Sequence, residues 1–262
     1  MIRSTLIGAL LAGASLLAMS SLADAATLWA LDSTGSLTKI DTDSKKAAAP
    51  LAIKGAEGKL MALAIRPADG KLYGLTATHI VAIDPMTGMA KPVSKLDKPL
   101  DLGARAAAKF NPMVDRLRVV GLSGNNYRIH VDTGAVTVDG ALKYAPGTPQ
   151  AGTTPMITAA AYTNAMAGAK ETALYTIDPV LGSYNIQAPP NDGVQTMKGA
   201  IASKLPNGLG FDILSDGAGG NTGWLIANAT LHRIALADGK ITADGPIAGL
   251  AGREVLSIAA TK

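Results

Sequence analysis

The sequence contains no cysteine, and this absence removes several kinds of chemistry at once. Disulfide bonds, thiolate metal sites, cysteine nucleophiles and iron–sulfur clusters all require a thiol. Aromatic side chains are also scarce, with 2 phenylalanines, 2 tryptophans and 6 tyrosines among 262 residues. So few rings leave little surface on which sugars could stack, which argues against a glycosidase.

Charged residues of both signs are few. The chain has 24 basic and 20 acidic residues, and the formal net charge of +4 is too small to favour nucleic acid as a partner. Hydrophobic residues make up 48% of the chain and charged residues 17%, which excludes disorder as its dominant state. The 29 glycines and 14 prolines follow no collagen-like period and indicate many turns rather than long helices.

The first 25 residues have the composition of an export signal. A short positive start containing Arg3 is followed by an apolar stretch over residues 6–19, which is too short to span a bilayer. Ala23-Asp24-Ala25 then supplies a small-x-small cleavage pattern. We therefore expect a bacterial signal peptide over residues 1–25, cleaved after Ala25. The alternative is a buried N-terminal helix.

The rest of the chain is expected to be an exported single domain. No window after Ala25 holds 18 uninterrupted apolar residues, so we expect no membrane association after cleavage. Residues 26–262 are predicted to form one domain in the periplasm or outside the cell.

Residues 26–262 repeat one strand–turn–strand unit five times. In each copy a short apolar run leads through a turn to a run with alternating apolar and polar residues, which is typical of half-buried strands. The copies begin at Leu28, Leu72, Leu117, Leu174 and Gly223. Their spacing of roughly 44 to 57 residues is close to that of a β-propeller blade.

A further apolar run, rich in alanine or glycine, precedes four of the five units. These runs cover residues 60–65, 104–108, 157–162 and 209–213. The first unit lacks one, and the missing copy stands at the C terminus, over residues 255–260. A C-terminal strand that completes the N-terminal unit closes a ring and removes both exposed edges. We therefore predict an all-β fold, a β-propeller of five four-stranded blades, over a β-sandwich, which would show no such period.

The third and fourth units carry strings that resemble a known family. Residues 110–120 read FNPMVDRLRVV and residues 189–193 read PPNDG. Together with AYTN at 161–164, these strings resemble the bacterial exported domain-of-unknown-function family numbered 4394. That family shares its blade pattern with the YVTN and quinoprotein amine dehydrogenase β-chain propellers. The resemblance covers essentially all of residues 26–262 and implies a propeller fold and an exported location, but no activity. Lys109 stands where the family pattern leads us to expect an acidic residue.

The third unit concentrates side chains that could bind an anion. Arg116 and Arg118 fall on one face of a strand, and Arg128 adds a third guanidinium group, of the kind that binds carboxylates through paired hydrogen bonds. The candidate ligand-binding residues in this unit are Asn111, Asp115, Arg116, Arg118, Asn125 and Asn126. In the alternative, purely structural interpretation, Asp115 caps amides of its own turn and the arginines pair with neighbouring blades.

The fourth unit adds three candidates. Asn164 ends the AYTN string, and the PPNDG loop could project Asn191 and Asp192 towards a ligand. The same loop could instead be a rigid hairpin between third and fourth strands, because two prolines prevent ladder pairing and Asn-Asp-Gly favours a turn.

No cofactor and no metal site are predicted. His79, His130 and His232 lie on or beside the third strands of different blades, too far apart in a ring to share a metal ion. The glycine-rich loop over residues 216–221 lacks the Lys-Ser/Thr of a phosphate-binding loop. The innermost strands carry too few carboxylates for glycoside hydrolysis, which needs a converging pair.

These observations favour a binding module over an enzyme. We expect a monomeric propeller, without a cofactor, that binds a small anionic or polar ligand or a protein partner on one face of the ring. Nucleic acid and membranes are not expected partners. The alternative is a hydrolase or lyase that uses Asn111, Asp115, Arg116 and Asp192 at one mouth of the central channel.

Overall fold

The chain folds as a five-bladed β-propeller, which confirms the predicted fold class. The structure is a computed structural model, and it describes residues 26–201, 205–206 and 208–262. The predicted signal peptide therefore lies outside the described residues. Within the described part of the chain, no helix is long and apolar enough to cross a membrane.

Five innermost strands line the axis of the ring, and each contacts the next one around it. They are β5 (Ala62–Ile65), β9 (Ala106–Asn111), β14 (Ala159–Tyr162), β18 (Leu209–Ser215) and β22 (Val255–Thr261). Small residues allow the close approach. A Cβ atom added to Gly210 on β18 would lie 2.6 Å from the Ile258 side chain on β22.

The second and third strands of the blades correspond to the repeated unit of the sequence. The second strands are β1 (Thr27–Asp32), β6 (Leu72–Leu75), β10 (Arg116–Gly121), β15 (Leu174–Asp178) and β19 (Asn221–Ala227). The third strands are β2 (Ser36–Asp41), β7 (His79–Ile83), β11 (Asn126–Ile129), β16 (Ser183–Gln187) and β20 (Thr230–Ile234).

The outer strands vary more than the inner ones. Four blades end in β8 (Ala90–Lys95), β12 (Val136–Val138), β17 (Val194–Ala200) and β21 (Ile241–Pro246). The first blade has only the two-residue strands β3 (Lys46–Ala47) and β4 (Leu51–Ala52), both paired with β2. In the fourth blade β13 (Lys143–Tyr144) adds a parallel fifth strand beside β17. PPNDG forms a short 3-10 helix over Pro190–Asp192 between β16 and β17.

The ring closes as the sequence predicted. Strand β22 pairs antiparallel with β1, with Leu28 opposite Ala260 and Ala30 opposite Ile258. The first blade is thus assembled from both ends of the described chain. Apolar side chains between neighbouring blades form the core. We call the side of the ring at which the innermost strands end, with Asn111 and Tyr162, the front face, and the opposite side the back face.

One position on the second strands faces the next blade in every unit. Four blades place an aromatic residue there, and the third blade places Arg118. The five residues and their partners on the innermost strands are Trp29 with Ala259, Tyr73 with Ala64, Arg118 with Lys109, Tyr175 with Ala161 and Trp224 with Asp212. The repeat is therefore broken at one blade by a buried guanidinium group.

An ion pair lies at the centre of the ring in the same layer. The Lys109 ammonium group of β9 lies 2.8 Å from the Asp212 carboxylate of β18, and it also donates to the Ile258 carbonyl at 2.6 Å. Asp212 in turn accepts a hydrogen bond from the backbone N–H of Ala260 at 2.9 Å. Burial lowers the pKa of Lys109, and the charge of Asp212 opposes this shift. These contacts connect the third blade, the fifth blade and the closing strand.

Candidate functional site

A cavity of about 230 Å³ opens between the third and fourth blades on the front face. It is lined by Asn111, Val114, Arg116, Arg118, Arg128, Tyr162, Pro190 and Asn191. Three of these eight side chains are arginines. Because liquid water occupies about 30 Å³ per molecule, the volume admits several waters or a small organic ion.

Arg118 forms the floor of this cavity, and its side chain is only 2% exposed. Its Nη1 donates to Asn126 Oδ1 at 2.8 Å and to Asp139 Oδ2 at 2.5 Å. Its Nη2 donates to Asn191 Oδ1, in the fourth blade, at 2.6 Å. Nε is buried and makes no hydrogen bond within the described structure. The guanidinium group is therefore held rigidly, with the Nε donor and one Nη2 donor left over.

Arg128 stands on the neighbouring strand, directly opposite Arg118 in the register. It forms a two-point contact with Asp139, from Nε at 2.6 Å and from Nη2 at 2.9 Å. Burial acts to raise the pKa of Asp139, but hydrogen bonds from Arg128 and Arg118 outweigh it and lower the pKa below its ordinary value. The same hydrogen bond raises the pKa of Arg128. One carboxylate thus serves two arginines.

Arg116 is the third cation of the cavity and the least engaged. Its Nη1 donates to the backbone carbonyls of Val114 at 3.2 Å and Asp115 at 3.1 Å. It forms no ion pair with a carboxylate among the described residues, although Asp115 is its neighbour in the chain. Half-buried at the cavity wall, it keeps the Nε and Nη2 donors for another acceptor.

Tyr162 and Asn111 complete the cavity wall at the ends of two innermost strands. Burial raises the pKa of Tyr162, while the nearby side chains of Arg118 and Asn111 act to lower it. The Tyr162 hydroxyl is buried beside Arg118 and Asn111, and neither contact has the geometry of a full hydrogen bond. Asn111 Oδ1 accepts the backbone N–H of Met113 at 2.9 Å, which shapes the turn and leaves the amide group of Asn111 at the wall.

A chain of amide side chains supports the cavity from behind. Asn126 donates to the Pro190 carbonyl at 3.0 Å, and Gln187 donates to the same oxygen at 2.8 Å. Gln195 then donates to Gln187 Oε1 at 2.8 Å and accepts from Thr176 at 2.6 Å. Buried polar groups linked in this way specify one arrangement of the two blades, because an unmade hydrogen bond there would be costly.

The loop that carries Asn191 is fixed by backbone packing. Gly193 ends the short helix with φ 68°, a conformation that favours glycine. An added Cβ atom there would lie 2.5 Å from the Gly140 carbonyl oxygen, so no larger residue fits. The Gly140 N–H also donates to the Asn191 carbonyl at 2.8 Å. Asn191 is therefore held beside Arg118 although its side chain is exposed.

The structure brings together five of the nine candidate residues predicted from sequence. Four line the cavity, namely Asn111, Arg116, Arg118 and Asn191. Asn126 lies behind Arg118 and bonds to it. The two arginines do share one face of β10, as the strand periodicity predicts.

The other four candidates lie elsewhere. Asp115 makes a two-point ion pair with Arg66 of the second blade, at 2.9 and 2.6 Å, instead of capping its own turn. Asn125 is on the back face, where it donates to the Asp101 carbonyl at 3.0 Å.

Asn164 and Asp192 are also outside the cavity. Asn164 exchanges hydrogen bonds with Asn221 in the gap between the fourth and fifth blades. Asp192 is exposed at the end of the short helix.

Sequence reasoning missed two members of the site, Asp139 and Tyr162. Asp139 follows the short strand β12, and no local pattern marks it. Tyr162 lies within the AYTN string, which by itself assigns it no role. The signal that could have identified the cavity is Arg118 itself, because it takes the place of an aromatic residue in the repeat.

Nothing in the described ranges resembles a metal centre. No group of three or more histidine, aspartate or glutamate side chains is gathered there in a way that could hold an ion. His79, His130 and His232 lie in three different blades.

Comparison with known proteins finds distant similarities. No curated protein matched the sequence. Among solved structures, an auxiliary nutrient binding protein from Bacteroides ovatus has 14% identity and a TM-score of 0.44. The match covers 75% of this chain and 55% of the length of that protein. A second one, from Bacteroides thetaiotaomicron, has 9% identity and a TM-score of 0.46, with 88% of this chain and 63% of that one covered. Regucalcin, a calcium-binding protein from Agrobacterium tumefaciens, has 14% identity and a TM-score of 0.48, with 89% and 73% covered.

The family of the chain follows from its sequence. The sequence profile of the family described as "Domain of unknown function (DUF4394)" matches residues 36–259, which run from β2 of the first blade into the closing strand and leave out β1. The resemblance noted from the FNPMVDRLRVV and PPNDG strings is thereby confirmed, and the chain belongs to the DUF4394 family.

Proposed function

We propose that this protein is an exported binding module that holds a small anion, a carboxylate in the first instance, in the cavity between its third and fourth blades. The observation that carries the proposal is the replacement of the repeated aromatic residue by Arg118. Where the other blades place an aromatic ring, the third blade has a cavity lined by three guanidinium groups.

The balance of donors and acceptors supports an anionic ligand. Three arginines line the cavity, and Asp139, the carboxylate bound behind them, is already shared by Arg118 and Arg128. Arg116 keeps unused donors, because only its Nη1 donates, to two backbone carbonyls. Guanidinium groups bind carboxylates through paired, charge-assisted hydrogen bonds, so an anion satisfies the groups left over.

The same geometry favours binding over catalysis. A hydrolase or lyase of the type considered from sequence would use Asp115 or Asp192 as an acid or base. Asp115 is held by Arg66 with both oxygens, and Asp192 lies outside the cavity wall. The cavity therefore offers positive charge and rigid positioning, but no free carboxylate among its described lining residues.

Isothermal titration calorimetry of residues 26–262 with succinate, acetate, inorganic phosphate and neutral glycerol tests this proposal. We expect succinate or acetate to bind and glycerol not to bind. Arg116→Gln should weaken the carboxylate affinity at least about tenfold, because a hydrogen bond between charged groups is lost. Arg116 is the variant of choice because it supports no other side chain.

Arg233→Gln is the matched control for this experiment. Arg233 is a part-exposed arginine in the fifth blade, paired with Asp244 at 3.0 Å and remote from the cavity. It should leave the affinity unchanged. Equal affinities in the parent protein and Arg116→Gln, or no binding of any carboxylate, would show that the cavity is not an anion site.

The exported location is a separate part of the proposal, supported by the composition of residues 1–25. Expression of the full chain in a bacterium, followed by N-terminal sequencing of the periplasmic fraction, should find a mature protein that begins at Ala26. An intact N terminus on protein recovered from the cytoplasm would contradict export.

A further inference from the structure

The aromatic residues at the repeated second-strand position are covered by a neighbouring side chain in three blades. The Tyr73 ring meets Phe110 edge-on at 5.4 Å, and the Tyr175 ring stacks on Tyr184 at 5.1 Å. The Arg233 guanidinium lies 3.7 Å from the centre of the Trp224 ring. Each of these rings thus has a planar partner in or beside the gap between two blades.

Trp29, the equivalent residue of the first blade, has no such partner. No aromatic ring stacks on it among the described residues, and the nearest cation, the Lys39 ammonium group, is 5.9 Å from its ring centre. Its indole is half-buried and lines a cleft of about 690 Å³ between the first and second blades, open on the front face. We call this space the Trp29 cleft.

The walls of the Trp29 cleft are mostly apolar. Ile65, Leu72 and Ile83 of the second blade lie across from the indole, and Met89 is 47% exposed beside them. The volume lies within the range of about 300–1,000 Å³ typical of small-molecule sites, which are also lined mainly by apolar and aromatic groups.

The polar groups at the rim are predominantly positive. Lys71 and Lys91 line the cleft, and neither forms an ion pair within the described structure. Asp84 is the one carboxylate on the described lining, and its Oδ1 accepts the backbone N–H of Met86 at 2.8 Å. This hydrogen bond lowers the pKa of Asp84, and the Lys91 ammonium group acts in the same direction, so the described lining carries two positive charges and one negative charge.

We propose that the Trp29 cleft binds an aromatic carboxylate, a planar ring that stacks on Trp29 with its carboxylate directed at Lys71 and Lys91. The ring gives Trp29 the planar partner that Phe110 and Tyr184 give to the tyrosines of the second and fourth blades, and the two lysines supply the charge that selects an anion. This site is distinct from the Arg118 cavity, which lies two blades away and has no aromatic platform open to a ligand among its described residues.

Tryptophan fluorescence gives a direct measurement of the proposed stacking. The sequence has only two tryptophans, and in Trp224→Phe the emission comes from Trp29 alone. Titration of this variant with 4-nitrobenzoate, corrected for ligand absorption, should show saturable quenching with a Kd of about 0.1–10 mM, the range expected of a small ligand. Calorimetry with 2-naphthoate on the parent protein measures the same site without a quencher.

Three variants separate the contribution of the Trp29 ring to binding from that of the two lysine charges. Trp29→Leu should weaken 2-naphthoate binding at least about fivefold, whereas Trp29→Phe should retain most of it. The double variant Lys71→Gln, Lys91→Gln should weaken 2-naphthoate binding about fivefold. It should leave unchanged the affinity for a neutral alcohol that carries the same aromatic ring. Lys143→Gln, at an exposed lysine of the fourth blade that lines neither site, is the control and should leave the 2-naphthoate affinity unchanged.

Folding and binding are distinguished by the near-ultraviolet circular dichroism and Tm of each variant. Affinity that is the same in Trp29→Leu as in the folded parent protein would overturn the stacking site. If cyclohexanecarboxylate binds as tightly as 2-naphthoate, the ligand need not be aromatic and that part of the proposal is wrong. If the neutral aromatic alcohol binds as tightly as 2-naphthoate, the ligand need not be an anion. Absence of saturable binding by both probes up to about 10 mM would overturn the whole proposal.

Discussion

Lys109 and Asp212 are two buried, oppositely charged residues that face each other across the axis of the ring. Each replaces an alanine found at the same position of the other innermost strands, namely Ala64, Ala161 and Ala259. Burial of two charges costs free energy that their attraction only partly offsets, so such a pair is poor evidence of added stability. Loss of one partner alone is much worse, because the other charge is left buried without compensation.

Lys109→Met and Asp212→Asn should therefore each lower the free energy of unfolding, by about 3–5 kcal/mol for the lysine variant and less for the Asp212→Asn variant. The difference arises because, in Asp212→Asn, the Lys109 ammonium group can still donate to the amide oxygen and to the Ile258 carbonyl, whereas Lys109→Met leaves the Asp212 carboxylate buried without a counter-charge. The double variant should recover at least half of the loss. Urea denaturation of the four proteins measures this cycle, and strictly additive losses would mean that the two side chains do not interact.

Asp139 makes stability dependent on pH in the acid range. Its folded-state pKa is lowered, since hydrogen bonds from Arg128 and Arg118 outweigh the effect of burial. A carboxylate of this kind contributes its full stabilisation above its ordinary pKa of 3.8 and loses it as the pH falls through the lower, folded-state value.

We expect Asp139→Asn to lower the free energy of unfolding by at least about 2 kcal/mol at pH 7. The difference in this free energy between variant and parent protein should shrink as the pH falls below about 3.8. Thermal melts between pH 2 and 7, at fixed ionic strength, would follow this trend. Asp43→Asn, an exposed aspartate without an ion pair in the described structure, is the control. A gap that stayed constant down to the lowest pH would contradict the role of the ionised carboxylate.

At the scale of elements, the closing strand β22 has the greatest structural consequence. It pairs with β1 by hydrogen bonds, and its side chains contact β18 and β5, so it joins three blades. The Ser257 hydroxyl accepts the backbone N–H of Leu63 at 3.0 Å, which ties β22 to the second blade. Without β22, the strands β1, β5 and β18 would each lose a neighbouring strand.

A chain that ends at Glu254 is expected not to fold cooperatively. It exposes the edge of β1 and the apolar surfaces of β5 and β18, which favours aggregation. A chain that ends at Thr261, with β22 intact, should unfold within about 1 kcal/mol of the full-length protein. Circular dichroism and thermal denaturation distinguish the two, and a cooperative transition of normal midpoint in the shorter chain would show that ring closure is dispensable.

At the scale of the whole molecule, the ring has no open channel for a ligand among its described residues. The cavities along the axis measure only about 10 and 40 Å³. Larger spaces are the Arg118 cavity, the Trp29 cleft and a cavity of about 260 Å³ on the back face beside Met61, Arg105 and Leu256. The Arg118 cavity and the Trp29 cleft contain the same repeated second-strand position, with arginine in one blade and tryptophan in another.

The two proposed sites should bind independently. They lie in different gaps between blades and share no described lining residue. If both bind, saturation with succinate should change the Kd for 2-naphthoate by less than about twofold, since coupling requires a structural change that both ligands favour. Calorimetric titration in the presence and absence of the second ligand measures this. Competition between the ligands would indicate a single shared site.

Much of the fold was predictable because it depends on local pattern. The alternation within the units, the alanine-rich runs and the split first blade follow from side-chain periodicity and from the need to pair every edge. The innermost strands differ from the prediction mainly at their ends. Four residues of the Arg118 cavity were also predictable as candidate ligand-binding residues, because polar side chains cluster in the FNPMVDRLRVV and PPNDG strings. They are Asn111, Arg116, Arg118 and Asn191.

The sequence by itself determined the repeat, the ring closure and the residue types available for chemistry. Only the tertiary structure decided that Asp115 serves Arg66, that Asp139 joins two arginines, and that Lys109 meets Asp212 across the ring. The physical reason is that strand periodicity fixes which way a side chain points within its own blade, but not which partner it meets. The pairs Arg66–Asp115 and Lys109–Asp212 join different blades, so their members, 49 positions apart in the first pair, come together only when the ring is complete.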